Sequence, residues 1–175
     1  LYVLPFINLF GGEFSHLRLK EIPGGKVAAI ALSWTLLTVC MPFFLSDEWF
    51  SGELAYTAAE RFSFVYALTI PFEVKDMEVD REAGIRTIAS LLGAREARRL
   101  AAALLLLFAV IVGFHHIEAL WLKALPLWGS AIASGYLIWN HESSETEMYY
   151  FFWLDGMLIL QPSLVAAAML VGRGF

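Results

Sequence analysis

Apolar runs of membrane-crossing length alternate with short polar connections along almost the whole chain. Val27–Leu45, Leu54–Phe72, Ala97–Phe114, Leu120–Trp139 and Tyr149–Val171 are each close to the roughly 20 residues that carry a helix across about 30 Å of hydrocarbon. The pattern predicts an all-α, multi-pass transmembrane helical bundle. Leu54–Phe72 is interrupted by Glu60 and Arg61, which adjoin, point in different directions on a helix and cannot form a same-face pair. Leu1–Phe10 is apolar but too short to cross, and Pro5 breaks it. It reads as the exit of an earlier helix, so residues 1–175 are expected to be one transmembrane domain forming the C-terminal part of a longer protein. Pro23-Gly24-Gly25 punctuates the chain before the first span, and no internal repeat or low-complexity segment divides it.

Composition agrees with the pattern. Hydrophobic residues make up 59% and charged ones 17%, with a mean hydropathy of +0.65, well above soluble usage. The single cysteine, Cys40, lies inside an apolar run, excludes an intrachain disulfide and reads as a buried structural thiol. A net charge of −5, with no basic patch interleaved with aromatics, argues against a nucleic-acid partner. The distribution of charge is more informative. Arg18, Lys20 and Lys26 precede the first span, and Lys75, Arg81, Arg86, Arg95, Arg98 and Arg99 follow the second. Ser46–Glu53 and His115–Ala119 carry no Lys or Arg. The positive-inside rule therefore puts the connection after the second span in the cytoplasm. His141–Met148 is acidic and also falls on that side. Trp49, Trp121, Trp128, Trp139, Tyr149 and Tyr150 lie mostly near span ends, as an aromatic belt would.

At that cytoplasmic exit stands Glu73-Val-Lys-Asp76-Met-Glu78-Val-Asp80. With about 100° per residue, Glu73, Asp76 and Asp80 share a sector of roughly 60° while Glu78 points away. Like charges gathered on one face repel each other unless a cation sits among them. Oxygen-only ligands, with no His or Cys in the segment, suit a hard cation, Mg²⁺ before Ca²⁺. Gly84 then ends the acidic helix within reach of Arg86.

The segment Glu73 to Gly93, with its Gly84-Ile-Arg86-Thr87 loop and Leu92-Gly93 ending, resembles the second aspartate-rich motif of the UbiA superfamily of intramembrane prenyltransferases. That motif has the form D-x-x-D-x-x-x-D, and here Glu73 stands at its first position. Leu17-Arg-Leu-Lys-Glu-Ile-Pro23-Gly-Gly-Lys26 and Tyr149-Tyr150…Leu154-Asp155-Gly156 also look familial. The resemblance implies the last five spans of a nine-span bundle with two acidic motifs facing across a cavity. It further implies transfer of a prenyl group from a prenyl diphosphate to an aromatic or other lipophilic acceptor. In that scheme Glu73, Asp76 and Asp80 ligate Mg²⁺, and Asp76 and Asp80 are the catalytic acids. The first motif, N-x-x-x-D-x-x-x-D, has no match in these residues, so this segment alone is not expected to turn over substrate.

The chemistry of such a substrate suits the pattern. Its anionic head belongs at a polar mouth, its apolar tail among helices, and a divalent ion must bridge the head to carboxylates that would otherwise repel it. Arg86 is the leading candidate for a diphosphate contact. Asp155, inside the last span, is the candidate for a further substrate contact or a pair with Arg61, because an unpaired charge there costs at least about 2.5 kcal/mol. His115 and His116 sit at the other membrane face, away from the acidic motif, and read as interfacial rather than as a paired metal site. A CDP-alcohol phosphotransferase would need D-G-x-x-A-R, whereas Asp155-Gly156 is followed by Met157-Leu158-Ile159. A non-enzymatic cation carrier or a prenyl diphosphate-binding protein is the alternative, although a carrier wants acids at mid-membrane on several spans, where only Asp155 and Glu60 qualify.

Overall fold

The computed structural model describes residues 23–46, 51–140 and 149–172, and among them the chain is helical with no strand. Leu1–Phe10, Arg18, Lys20, Trp49 and His141–Met148 lie outside the described residues. The helices are α1 (Gly25–Leu45), α2 (Gly52–Lys75), α3 (Met77–Glu82), α4 (Ile88–Leu92), α5 (Ala94–His115), α6 (Leu125–Asn140) and α7 (Asp155–Gly172). A wider π-type turn interrupts α1 at Leu36–Cys40, another precedes α7 at Tyr149–Leu154, and irregular helical turns link α5 to α6.

Among the described residues, each of the five long apolar runs falls on helix or on the helical turns that lead into it. Gly25–Leu45, Ala94–His115 and Phe152–Val171 are long and apolar enough to cross a membrane. α2, which carries Glu60 and Arg61, and α6, of 16 residues, do not reach that length and apolarity.

α2 occupies the centre, packed between α1 and α5 and touching α6, with α6 against α5 and α7 against α6. Its burial is nearly all-round, from Glu60 through Phe64, Leu68 and Ile70 to Val74. α5 meets it with a single stripe, Ala97, Ala101, Leu105, Phe108 and Val112, at the three- and four-residue spacing of one helical face. The alanines let the two axes approach, and Phe64 and Phe108 lock together with ring centroids 5.0 Å apart. Trp128 on α6 donates from Nε1 to the Ala109 carbonyl at 2.9 Å, over the face left open by Gly113. Trp128 is therefore half-buried packing rather than part of an aromatic belt, while Trp139 is exposed. Cys40 is half-buried, less enclosed than expected of a structural thiol.

The outward faces are apolar. Leu37, Leu106, Phe114, Ile132, Ile159 and Leu170 are all exposed large side chains, an arrangement that water would penalise and lipid would not. The small polar residues inside bond to their own helices. Ser130 Oγ donates to the Leu127 carbonyl and Ser134 Oγ to that of Ser130, so α6 buries hydroxyls without needing partners elsewhere.

Candidate functional site

Polar chemistry collects at the two ends of α2. At its C-terminal end the helix yields at Asp76 (φ −84°, ψ 1°), yet Asp76 N–H still donates to the Phe72 carbonyl at 3.0 Å and Asp80 N–H to that of Asp76 at 2.8 Å. α3 thus continues α2 with little break, and Asp76 and Asp80 stay one turn apart. Both are partly exposed, whereas Glu78 is fully turned out, as the helical spacing predicts.

The loop that follows is built by its sequence. Gly84 takes a left-handed φ of 68°. Ile85 N–H closes on the Asp80 carbonyl at 2.8 Å and Gly84 N–H on that of Arg81 at 3.2 Å, the paired bonds of a Schellman ending. Thr87 then starts α4 through reciprocal bonds with Ser90, whose backbone N–H donates to Thr87 Oγ1 at 3.1 Å and whose Oγ accepts from Thr87 N–H at 2.8 Å. Arg86 lies between these two devices and is exposed.

Glu73 joins the loop to α2. It is 3% exposed, and its Oε2 accepts from the Ile88 backbone N–H at 2.9 Å, across fifteen residues of sequence. That N–H is one of the free donors at the start of α4. The other oxygen, Oε1, is buried with no hydrogen-bond partner among the described residues. Gly24, before α1, fits beneath this corner, since a Cβ there would come 2.7 Å from Ile88 Cδ1 and 2.8 Å from Tyr66 Oη. The ligand atoms of Glu73, Asp76 and Asp80 do not gather into a single compact group. Asp155 belongs to another helix, exposed in the first turn of α7. Arg61, considered as its partner, instead donates from Nη1 to Gln161 Oε1 at 2.8 Å.

At the N-terminal end of α2 a different set converges. Glu60 Oε1 lies 2.8 Å from His115 Nδ1 and 3.4 Å from His116 Nε2. His115 Nε2 lies 2.7 Å from Glu53 Oε2. The His115 side chain is 5% exposed, His116 11%, Glu60 8% and Glu53 66%. Tyr56 stacks on one side of His115 at 5.1 Å and His116 lies against the other at 4.0 Å. Glu60, His115 and His116 each offer a ligand atom within 4.8 Å of the others, the group of that kind among the described residues. Burial pushes the His116 imidazole below its ordinary value despite the nearby Glu60 carboxylate. The hydrogen bond with His115 holds the Glu53 carboxyl down.

The sequence placed both histidines near a membrane face but not beside Glu60. The signal available was the seven-residue, two-turn spacing of Glu53 and Glu60 on a helix that runs antiparallel to the one ending in His115-His116. Comparison of the chain with family models, with curated proteins and with solved structures finds no match.

Proposed function

We propose that the chain carries the second acidic half-site of a UbiA-type intramembrane prenyltransferase, which transfers a prenyl group from a prenyl diphosphate to a lipophilic or aromatic acceptor. The observation that supports this most is the buried Glu73 Oε1, a carboxyl oxygen with no hydrogen-bond partner among the described residues, on the helix that leads to Asp76 and Asp80. Oxygen-only donors with a buried oxygen to satisfy fit Mg²⁺. Asp76 and Asp80, one turn apart, would hold it from the open side, and Glu73 would join them only after a side-chain movement that brings its oxygen to theirs. Bound there, Mg²⁺ would supply charge neutralisation for a departing diphosphate.

The chain's own groups do the rest. Arg86, held by the Gly84 turn and the Thr87 cap, extends from the loop where an anionic head would lie. The Ile88–Glu73 bond fixes that loop against α2, so the backbone that carries Arg86 is in place before ligand arrives and less ordering accompanies binding. Packed apolar helices keep water from the prenyl tail.

The test is binding of radiolabelled prenyl diphosphate to membranes containing the full-length protein, with EDTA and with Mg²⁺ restored alone. The reading expects binding to disappear with chelation and return with Mg²⁺. Binding that survives EDTA would remove the reading.

A further inference from the structure

The N-terminal end of α2 has donors of a different kind, and its geometry asks for a different ion. Glu60, Glu53 and Lys123 surround the two imidazoles, Lys123 close enough to act on both His116 and Glu53. Two carboxylates against one ammonium leave the group short of positive charge while both imidazoles are neutral. Either a proton on His115 or a metal ion supplies the difference.

The distances bear on both, and His116 is where they differ. A protonated His115 would satisfy Glu60 and Glu53 through its two N–H groups at 2.8 and 2.7 Å. It would leave His116 Nε2 unexplained, since 3.4 Å from Glu60 Oε1 is beyond a good N–H···O bond. That separation is instead the edge of a tetrahedron with metal–ligand bonds of about 2.0–2.1 Å, for which neighbouring ligands stand about 3.3 Å apart. His115 Nδ1 lies 2.8 Å from the same oxygen, nearer than that edge, so the pair must open by about 0.5 Å to admit the ion, while the Tyr56 and His116 rings lie against the imidazole.

We propose that Glu60 Oε1, His115 Nδ1 and His116 Nε2 ligate one divalent transition-metal ion of the zinc class, with Glu53 orienting His115. In this site Nε2–H of His115 donates to Glu53 Oε2 at 2.7 Å, which fixes the tautomer that leaves Nδ1 free for the ion. Two imidazoles and a carboxylate suit zinc rather than magnesium, and three protein ligands leave a fourth position for water or an exogenous ligand. The ion would tie the start of α2 to the end of α5. Nothing in this inference depends on the prenyltransferase reading, which concerns the opposite end of α2.

The experiment uses the full-length protein in detergent, stripped by chelation and reloaded with Zn²⁺ or with Co²⁺ as a spectroscopic stand-in. Metal retained after gel filtration is counted by mass spectrometry. One equivalent per chain and a visible Co²⁺ spectrum are expected, with Cys40→Ser leaving both unchanged because no thiolate takes part. His116→Ala or Glu60→Gln should abolish retention with helix content preserved, and Glu53→Gln should weaken affinity about 10- to 100-fold. No retained metal would show an imidazolium clamp, and retention unaltered in His116→Ala would show adventitious zinc; either result overturns the site. Should His116→Ala fail to fold, unchanged affinity in Glu53→Gln overturns it equally.

Discussion

At one end of α2, Glu73, Asp76 and Asp80 arrive within a single stretch of helix and loop. At the other, Glu53 and Glu60 meet a histidine 62 and 55 residues away. The first set is all oxygen, partly open, and followed by a loop carrying Arg86. The second mixes oxygen with nitrogen and is largely enclosed between α2 and α5. Softness of the donors, access and the charge beside them all differ, so under the two proposals the same carboxylate chemistry would serve two kinds of cation. The open end suits an ion that comes with an anionic ligand; the enclosed end suits an ion that stays.

The widest separation between the ends should come from Asp76→Asn and Asp80→Asn. Each keeps side-chain size and removes one ligand charge. Turnover of prenyl diphosphate in the full-length protein should fall by at least about a hundredfold, equivalent to several kcal/mol of leaving-group stabilisation, while zinc retention at the other end stays as it was. Glu78→Gln, on the exposed side of the same helix, should alter neither. If Glu78→Gln proved as damaging as Asp76→Asn, the one-face arrangement would be wrong. If the aspartates altered zinc retention, the two ends would not be separate sites.

This contrast also accounts for what could be read from the sequence. Helix positions followed from apolar run length, because lipid-facing and buried surfaces are both apolar and leave continuous stretches. The acidic end was legible because its residues are local: helical periodicity alone puts Asp76 and Asp80 on one side and Glu78 on the other, and Gly84 and Thr87 mark the turn and the cap. Glu73 was less so. Its spacing showed the face it shares but not the Ile88 N–H that it satisfies fifteen residues on. The Glu60–His115–His116 group depends on how α2 pairs with α5, a tertiary fact that neither segment encodes by itself. Arg61 went to Gln161 rather than Asp155 for the same reason. α6 is shorter than its apolar run suggested, since the residues from Ile117 to Ala124 form irregular turns before it.

Glu73 allows the acidic end to be divided further. Removal of its carboxylate in Glu73→Ala leaves the buried Ile88 N–H without its acceptor, and thermal unfolding in detergent should show a loss of about 1–3 kcal/mol. Glu73→Gln retains an acceptor oxygen and removes the charge. It should recover most of that stability, and Mg²⁺-dependent binding of prenyl diphosphate should stay weak. Recovery of both in Glu73→Gln would assign Glu73 to the loop alone and reduce the metal ligands at this end to Asp76 and Asp80.

Asp155→Asn should have the smallest effect, and it tests whether either end extends onto α7. Gln161, bonded to Arg61, lies six residues further along α7, a rise of about 9 Å. Arg61 directly follows Glu60, so Asp155 is displaced along the bundle from the enclosed group. It also has no hydrogen bond or ion pair among the described residues and is exposed on its helix. An exposed group with no partner among the described residues has no contact to lose, and in the first turn of α7, near the membrane edge rather than mid-span, its charge costs little; such substitutions usually stay within about 0.5 kcal/mol, or roughly twofold in rate. Asn keeps the shape and hydrogen bonding, so expression and thermal stability should be unchanged, and turnover of prenyl diphosphate should remain within that range. A loss on the scale of Asp76→Asn, with the protein still folded, would instead mean that Asp155 meets ligand directly. The acidic site would then reach from α2 and α3 across to α7, and its contrast with the enclosed end would become one between a cavity wall and a clamp.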